Sequence, residues 1–438
     1  MMLSIPRLAT IAALLLWSPS TLAAPTQDTP LAPRQDEDWH WVATWTSMPQ
    51  LVEPNNMPPA PFSGSATFKD ATLRQTLHLS LGTSRLRLQI SNTFGTTPLP
   101  ITAATIALPS SGKPGVSSID TTTLQPLTFH NGSSTITIPA GETAYTDPID
   151  FPSPIPAQSN IAVSLYSQAG QAGSSITGHP GSRTTSWMVA GNNVEAATLS
   201  GGSGVANTKH WYFVSAVEAW APPTMGALVI LGDSITDGRG STDDGNDRWP
   251  DLLLARMQQA SNGSGAAVVG VNNQAAGGNA VLTGGLGPTL LTRYQRDALQ
   301  VAGVKYVMIF EGVNDIGGGS ADSGTQTRIG TELQEAFAKI VGDCKAAGIK
   351  TIGGTITPFG GNGQAYSSPV REAARVAVNE WILGSGTFDA TVDFAKLIGD
   401  PTMVSQLAGK YDGGDHLHPN VAGYQAMADG FPLDFFDA

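Results

Sequence analysis

The hydrophobic pattern of this chain changes its period near residue 221, and this change constrains the fold more than any other feature. Before it, apolar and polar residues alternate in short segments separated by Gly, Pro and Ser, a pattern typical of half-buried strands. The segments that show it are Leu73–Leu81, Leu86–Ile90, Ile101–Ala107, Ser134–Ile138 and Ile161–Tyr166. No amphipathic helix of useful length interrupts them. We therefore predict an antiparallel, jelly-roll-like β-sandwich over residues 39–220.

After residue 221, short and wholly apolar segments alternate with helical patterns. The apolar segments are Ala227–Leu231, Ala266–Val271, Val304–Phe310, Thr351–Ile356 and Ala390–Phe394. The helical patterns cover Pro250–Ala260, Thr327–Ala347, Val370–Leu383 and Val421–Ala428. Strands buried on both faces that alternate with helices specify a three-layer α/β architecture with a parallel sheet. We predict this domain over residues 221–438.

The first residues resemble an export signal. Arg7 is followed by a short apolar segment, and small residues around Ala23 offer a cleavage site. We therefore interpret residues 1–24 as a signal peptide, residues 25–38 as a flexible leader, and the protein as secreted, without a membrane anchor. Asn131 and Asn262 begin sequons that a eukaryotic host could glycosylate.

The net charge disfavours two classes of binding partner, and the cysteine content excludes an intramolecular disulfide. With 23 Lys and Arg against 35 Asp and Glu, the net charge is -12, which disfavours binding to nucleic acid or to an anionic membrane. Cys344 is the single cysteine, so no intramolecular disulfide can form. Its position in a helical apolar pattern predicts a buried, unreactive thiol.

The chemistry is expected where the parallel strands end. The first strand runs directly into Gly232-Asp233-Ser234-Ile235-Thr236, which places Ser234 between a strand and a helix. That position exposes the hydroxyl and surrounds it with unpaired backbone N–H groups. A serine hydroxyl is a weak nucleophile, so a base must lie within hydrogen-bond reach.

The candidate bases lie near the end of the chain. Of the seven histidines only His416 and His418 follow Ser234. Asp415 precedes His418 by three residues, so its carboxylate can orient one ring nitrogen while the other faces the serine. This spacing favours His418 over His416, and Asp412 is a fallback for the acid, although a solvated turn is its simpler role. The two histidines could also bind a metal, but no further His or Cys lies nearby.

Donors for a developing oxyanion are present at two other strand ends. The segment 273–279 contains Gly277 and Gly278, whose backbone N–H groups can approach a substrate closely. Asn314 lies in Gly312-Val313-Asn314-Asp315 after the third strand and can donate from its amide. Each motif alone is weak, because Gly-Gly is usually a turn and Asn-Asp usually a cap.

Four motifs, taken in chain order, resemble the four blocks of the SGNH (GDSL) hydrolase family over residues 225–435. They are Gly-Asp-Ser, Gly, Gly-x-Asn-Asp and Asp-x-x-His. The resemblance implies catalysis by Ser234, Asp415 and His418, and an oxyanion hole of Ser234, Gly278 and Asn314, with Gly277 as the alternative if the second block is offset. The whole chain, with Arg248-Trp249-Pro250 after the serine loop, also resembles a two-domain subgroup linked to xylan degradation. The α/β-hydrolase motif Gly-x-Ser-x-Gly is absent from the sequence.

We therefore expect a secreted, monomeric serine esterase that needs no cofactor and no metal and deacetylates plant polysaccharide such as xylan. A short-chain lipase or arylesterase is the first alternative. The second is a carbohydrate-binding protein with an inactive hydrolase domain, in which tryptophans of the β domain stack on sugar rings. The tryptophans considered for that role are Trp39, Trp41, Trp45, Trp187 and Trp211. A structural or adhesive role would rest on the Gly/Ser-rich segment 201–204 alone.

Overall fold

The computed structural model describes residues 38–199, 204–260 and 264–437. The predicted signal peptide, the Gly/Ser-rich residues 201–203 and Asn262 lie outside the described residues, as does the predicted leader apart from Asp38. Trp39–Ala438 forms one compact unit. For clarity we call residues 39–221 the N-terminal part and residues 222–437 the C-terminal part.

The N-terminal part is built of strands. In chain order they are β1 (His40–Thr46), β2 (Gln50–Leu51), β3 (Ala66–Thr67), β4 (Ala71–His78), β5 (Thr83–Ser91), β6 (Leu99–Ile101), β7 (Ala103–Pro109), β8 (Ile119–Pro126), β9 (Ile136–Ile138), β10 (Thr143–Tyr145), β11 (Ile149–Ile155), β12 (Asn160–Ser167), β13 (Gln171–Ala172), β14 (Thr177–His179), β15 (Ser186–Ala190), β16 (Val205–Thr208), β17 (Trp211–Tyr212) and β18 (Val214–Ala221). A short 3-10 turn, Pro54–Asn56, follows β2.

Two antiparallel sheets form a sandwich in this part. One has the order β1-β18-β5-β10, with β11 also paired to β5, and the other has the order β16-β15-β4-β12-β7-β8. Leu77 of β4 and Leu88 of β5 belong to the same buried apolar cluster, because the inner faces of the two sheets pack against each other. The predicted antiparallel sandwich is confirmed.

The expectation that every one of these strands is half-buried is wrong for β4. Its polar residues Arg74, Gln75 and Thr76 are buried along with its leucines. The outer face of this central strand is covered as well. There the Arg74 guanidinium donates to Ser164 Oγ of the neighbouring strand β12 at 2.8 Å and to the Ser117 carbonyl, in the loop before β8, at 2.7 Å. Burial is tolerated because these donors are paired.

The C-terminal part alternates strands and helices. Its strands are β19 (Gly226–Gly232), β20 (Val269–Ala275), β21 (Val304–Phe310), β22 (Lys350–Gly354) and β23 (Ala390–Val392). Its helices are α1 (Ser234–Asp237), α2 (Trp249–Gln258), α3 (Leu290–Tyr294), α4 (Val313–Gly318), α5 (Ser323–Ala346), α6 (Pro369–Gly384), α7 (Phe394–Ile398) and α8 (Val421–Asp429). Tighter or wider turns occur at Gly265–Val268, Gln295–Leu299 and Leu433–Asp437.

The strands of this part form one parallel sheet in the order β20-β19-β21-β22-β23. The chain first moves to one side of β19 and then to the other, and right-handed crossovers therefore place α2 on one face and α5 and α6 on the opposite face. Helix α8 packs against α2, and α5 packs against α6. The three-layer prediction is confirmed.

The predicted strand at 266–271 is displaced in the structure. Residues Gly265–Val268 form a 3-10 turn that the Ser264 hydroxyl caps, and the strand runs from Val269 to Ala275. The polar residues that end this strand did not look like strand residues. They are buried because β1 lies alongside and supplies partners, as when Asn272 donates its amide to the Ala43 carbonyl at 2.9 Å.

The two parts share a contact surface. Val42, Ala43 and Leu81 of the N-terminal part form an apolar cluster with Ala221 and Ala227. The division into domains at 220/221 stays a prediction, because Trp39–Ala438 forms a single compact unit. Within the described ranges, no helix is long and apolar enough to cross a membrane.

Candidate active site

Ser234 lies at the carboxyl edge of the parallel sheet, directly after β19. Gly232 is paired in register with Ala275 of β20 and with Phe310 of β21, so three loops leave the sheet side by side at this edge. Asp233 caps α1 by accepting from the Ile235 N–H at 3.0 Å. Ser234 is therefore the first residue of a helix, where its own N–H has no intrahelical acceptor.

The structure brings together the three residues that the resemblance implied. Ser234 Oγ lies 2.7 Å from His418 Nε2. His418 Nδ1 lies 2.6 Å from Asp415 Oδ2, and the other oxygen of Asp415 accepts from the backbone N–H of His418 at 2.8 Å. The carboxylate thus fixes both the ring and the backbone of the histidine.

The electrostatics of this chain of hydrogen bonds favour a neutral imidazole. Burial lowers the pKa of His418 from its ordinary value of 6.5, and the positive charges of Arg239 and Arg183 act in the same direction, whereas Asp415 opposes them. Partial burial raises the pKa of Asp415, but hydrogen bonds from His418 outweigh it and the pKa is lowered overall. A neutral histidine beside an ionised carboxylate is the state that a general base requires.

His416 makes a separate pair and lies apart from Ser234. Its Nδ1 contacts Asp412 Oδ2 at 2.6 Å, and Asp412 Oδ1 accepts from the His416 backbone N–H at 3.1 Å. Asp412 is therefore a turn residue, as we interpreted it, but its side chain is largely buried and not solvated. Its carboxylate is held by His416, which has a left-handed backbone with φ of 59°.

Both glycines of the second motif and Asn314 border the same cavity as Ser234. Gly278 has φ of 71°, a left-handed conformation that favours glycine, and its carbonyl accepts from the Leu286 N–H at 2.8 Å. Among the described residues no acceptor contacts the Gly278 N–H. Gly277 stays open as the alternative donor, since it borders the cavity too.

The Asn314 amide is oriented by two partners. Its Nδ2 donates to the Asn279 carbonyl at 2.7 Å, which leaves its second hydrogen free, and its Oδ1 accepts from the Tyr366 hydroxyl at 3.0 Å. Sequence reasoning missed Tyr366, because it lies in a loop far along the chain and belongs to no motif. Asp315 of the same motif accepts from the N–H groups of Val281 and Leu282, both at 2.9 Å.

A buried arginine, also missed, joins the strand ends beneath the site. Arg293 donates to the carbonyls of Gly232 and Gln274, at 3.2 and 2.6 Å. It also donates to Asn279 Oδ1 at 2.9 Å and to Glu311 Oε2 at 3.2 Å. Nothing in the local pattern around Arg293 identified it, because the partners named come from three separate segments.

Acidic side chains surround this arginine. Burial raises the pKa of Asp233 to about 7 and that of Asp315 to about 6. Burial also raises the pKa of Glu311 to about 8, although Arg293 opposes it. These carboxyls accept from backbone N–H groups or from Arg293, and among the described residues none of them contacts the His418 ring, so we assign them no role in proton transfer.

The cavity beside Ser234 has a volume of about 450 Å³ and is formed by both parts of the molecule. Ser234, Gly278, Asn314, Tyr366, Leu417 and His418 border it from the C-terminal part. Gln50, Glu53, Asn56, Gly181, Arg183 and His210 border it from the N-terminal part. The β-sandwich therefore supplies a wall of the site.

The described ranges contain no cluster of three or more His, Cys, Asp or Glu that could hold a metal ion. Cys344 is buried in α5, and burial raises its pKa to about 12. This thiol is therefore structural.

Fold and site together define a class: an α/β protein with a strand-end serine joined to histidine and aspartate at the carboxyl edge of a parallel sheet. Residues 230–426 match the model of the GDSL-like lipase/acylhydrolase family. This match covers most of the C-terminal part, and the protein is accordingly an enzyme of the ester-hydrolase class.

Several solved structures are similar to this chain. An acetyl xylan esterase from Geobacillus stearothermophilus is 22% identical, with 48% of this chain and 94% of that chain covered and a TM-score of 0.35. A putative acylhydrolase from Bacteroides fragilis is 21% identical, with 47% and 83% covered and a TM-score of 0.33. A putative lipolytic protein from Desulfitobacterium hafniense is 19% identical, with 46% and 95% covered and a TM-score of 0.34. No curated protein matches the chain.

Proposed function

We propose that this protein is a secreted serine esterase in which Ser234 is the nucleophile, His418 the base and Asp415 the residue that orients the base. One observation carries the proposal: Ser234 Oγ and His418 Nε2 are 2.7 Å apart while His418 Nδ1 and Asp415 Oδ2 are 2.6 Å apart. A nucleophile in contact with a base that a third group orients is the arrangement required for acyl transfer.

The reaction has two steps. Ser234 Oγ attacks the ester carbonyl carbon while His418 Nε2 takes the hydroxyl proton, and His418 then gives that proton to the departing alcohol. A water molecule next attacks the acyl-enzyme, and His418 takes one proton from it. Collapse of this second intermediate releases the carboxylic acid and returns the proton to Ser234.

The negative oxygen of each intermediate needs donors. We assign this role to the backbone N–H groups of Ser234 and Gly278 and to the Asn314 amide. The free N–H of Gly278 and the free second hydrogen of the Asn314 amide support the assignment. Donors fixed before the reaction stabilise the transition state without a cost of reorganisation.

The walls of the cavity favour a small acyl group on a polar alcohol. Most side chains of its N-terminal wall are polar or charged, and its larger apolar side chains are those of Pro180, Leu286 and Leu417. A long acyl chain requires a largely apolar channel, which this lining does not offer. We therefore propose that the enzyme removes acetyl groups from polysaccharide such as xylan.

Replacing Ser234 with Ala tests the catalytic assignment. We expect the Ser234→Ala protein to fold normally and to lose at least about a thousandfold in kcat on p-nitrophenyl acetate, because the attacking oxygen is gone. The measurement pairs initial rates with circular dichroism. A folded Ser234→Ala protein that cleaves the probe at the parent rate would show that another residue is the nucleophile.

A product assay separates the proposed substrate from a short-chain lipase or arylesterase. We expect faster release of acetate from acetylated xylan than of fatty acid from a triglyceride. The reverse order would assign the enzyme to the lipases. Mass spectrometry of the secreted protein would test the proposed removal of residues 1–24.

The tryptophans of the N-terminal part give little support to the alternative that this is a carbohydrate-binding protein. Trp45 and Trp211 are buried and pack edge to face, with ring centroids 4.9 Å apart. Trp39, Trp41 and Trp187 are half-buried. Rings packed in a core have no free face for a sugar.

A further inference from the structure

Two arginines border the cavity beside Ser234, one from each part of the molecule. Arg183 lies in the loop between β14 and β15, and Arg239 follows α1. The charges of both reach His418, the proposed base, and contribute to the lowering of its pKa after the larger effect of burial. Positive charge is therefore concentrated at the proposed site of ester cleavage, in a chain whose net charge is -12.

Neither guanidinium has an acidic partner. Among the described residues, no carboxylate oxygen lies within 4.0 Å of Arg183 or Arg239. The Nε of Arg183 is buried and has no acceptor among the residues that the structure describes. The buried guanidiniums elsewhere in the molecule, such as those of Arg74 and Arg293, donate to several acceptors. A buried donor left without an acceptor is unfavourable, so a site that retains one is suited to a ligand that supplies the acceptor.

Two acidic side chains border the same cavity, and both are engaged elsewhere. Glu53 accepts from Gln50 Nε2 at 2.6 Å and from Asn56 Nδ2 at 3.0 Å. Asp237 is in contact with His179 Nε2 at 2.9 Å. Its second oxygen has no donor but is covered by Gly181, since a Cβ on that glycine would lie only 1.7 Å away.

The loop that carries Arg183 is held firmly by the C-terminal part. The Arg183 carbonyl accepts from the Asp244 N–H at 2.8 Å, and the Asp244 carboxylate accepts from the N–H and hydroxyl of Thr185 at 2.7 and 2.8 Å. On the other side, the Arg248 guanidinium donates to the Ser182 carbonyl. Arg183 itself has φ of 49°, a strained conformation for a residue other than glycine, and such strain is concentrated at functional sites.

We propose that this esterase selects esters that carry a carboxylate, which Arg183 and Arg239 bind beside Ser234. The proposal rests on the esterase activity proposed above and specifies its substrate class. The guanidinium fork matches a carboxylate with two parallel hydrogen bonds. The carboxylate belongs either to the alcohol, as in an acetylated uronic-acid unit of an acidic polysaccharide, or to the acyl group, as in a half-ester of a dicarboxylic acid.

Two pairs of substrates distinguish these sources. On the acyl side, p-nitrophenyl butyrate is compared with mono-p-nitrophenyl succinate, which differ by the terminal carboxylate. On the alcohol side, acetate release from neutral acetylated xylo-oligosaccharides is compared with release from acetylated oligogalacturonides. In one of the two arms we expect the anionic substrate to have a kcat/KM about tenfold higher, a factor that salt near 1 M reduces because Arg239 is exposed.

Substitutions assign this preference to the arginines. Arg183→Gln and Arg239→Gln should each lower the ratio of anionic to neutral kcat/KM by about tenfold, and Arg183→Lys should retain part of it because the charge remains. Arg328→Gln is the matched control: it removes an exposed arginine of α5 that pairs with Glu332, and the ratio should not change. Melting temperatures show whether each variant is folded.

The outcomes separate the two proposals. If the parent enzyme hydrolyses none of the esters in either arm, neutral or anionic, the proposed esterase function itself fails. If it hydrolyses them but prefers the anionic ester in neither arm, the carboxylate proposal is overturned while the esterase function stands. A preference that survives in folded Arg183→Gln and Arg239→Gln proteins equally overturns the assignment to these residues.

Discussion

At the scale of single residues, the contact between Ser234 Oγ and His418 Nε2 can support catalysis only while the imidazole is neutral. Burial is the largest influence on the pKa of His418, and it acts against the charged form. Asp415 favours the charged form but also fixes the ring with Nε2 toward the serine. Burial thus keeps the imidazole neutral, so that it can act as a base, and the Asp415 carboxylate orients the ring.

The first prediction concerns the pH profile. A base works when deprotonated, so kcat/KM should rise with pH through the pKa of His418, and because that pKa lies below 6.5 the acid midpoint should lie below 6.5. Rates on p-nitrophenyl acetate between about pH 4 and 8 measure it. Arg183→Gln removes a charge that lowers the pKa, so its midpoint should be higher than that of the parent. A parent midpoint at or above about 7 would contradict this account of the site.

The second prediction concerns Tyr366. Asn314→Ala removes a proposed oxyanion donor and should cost about 10²–10³-fold in kcat. Tyr366→Phe removes only the hydroxyl that orients the Asn314 amide, so we expect about a tenfold loss in kcat with KM nearly unchanged. Because the hydroxyl acts through Asn314, Tyr366→Phe should have little further effect in the Asn314→Ala background. Additive losses would indicate an independent role for Tyr366.

At the scale of elements, the ends of β19, β20 and β21 are the framework of the site. Their loops leave the sheet side by side, and Arg293 joins them through carbonyls of the first two strands and through Glu311 after the third. Asp315 then ties the loop at 281–282 to α4. The positions of the proposed oxyanion donors thus depend on buried polar contacts between separate segments.

The third prediction follows from the burial of Arg293. Arg293→Ala leaves the Gly232 and Gln274 carbonyls and the neighbouring acids without their donor, so we expect the free energy of unfolding to fall by about 3–5 kcal/mol. Urea denaturation measures the change. Arg328→Ala, which breaks the exposed pair with Glu332 in α5, is the control and should cost less than about 1 kcal/mol. If the two substitutions lowered the free energy of unfolding equally, burial of Arg293 would not be the cause of the loss.

Sequence patterns located most elements of this part because most of its strands are apolar and each long helix has one apolar face. The strand β21 has the predicted ends, and α5, α6 and α8 differ from prediction by a few residues. Strand β20 was misplaced because its polar residues, such as Asn272, are buried only through contacts with β1. No local pattern can reveal a partner that lies more than 200 residues away.

At the scale of the whole molecule, the two parts are joined around the helix that begins with Ser234. His179 of β14 contacts the Met48 carbonyl through Nδ1 at 3.0 Å and Asp237 of α1 through Nε2 at 2.9 Å. A carbonyl oxygen can only accept, so Nδ1 donates to it, and Nε2 makes the contact with the Asp237 carboxyl. Both side chains are buried. The N-terminal part therefore supports α1 from behind the nucleophile.

The fourth prediction tests this link. His179→Ala leaves Asp237 buried without its partner, so we expect a loss of about 3 kcal/mol in stability and a lower kcat on p-nitrophenyl acetate. Thermal unfolding should remain one transition, because Trp39–Ala438 is one compact unit. Lys209→Ala breaks an exposed ion pair with Asp243 that also links the two parts and should cost less than about 1 kcal/mol. Two separate transitions in the parent protein would contradict the prediction of one cooperative unit.

The sequence by itself determined the class of both parts and the residues proposed for catalysis. Hydrophobic periodicity depends only on residues that are near one another in the sequence. It was therefore sufficient to predict the antiparallel sandwich and the parallel sheet. The four ordered motifs placed Ser234, Gly278, Asn314 and His418 at strand ends or in the last loop, because the carboxyl ends of parallel strands meet at one edge.

Only the tertiary structure decided what surrounds these residues. Tyr366, Arg293 and Arg183 belong to no motif, and the residues around them come from distant segments, so their roles depend on how the chain packs. Packing also makes the β-sandwich a wall of the cavity. The physical reason is that burial and pairing of polar groups, which set pKa values and orient donors, depend on every element around them and are encoded in no single stretch of sequence.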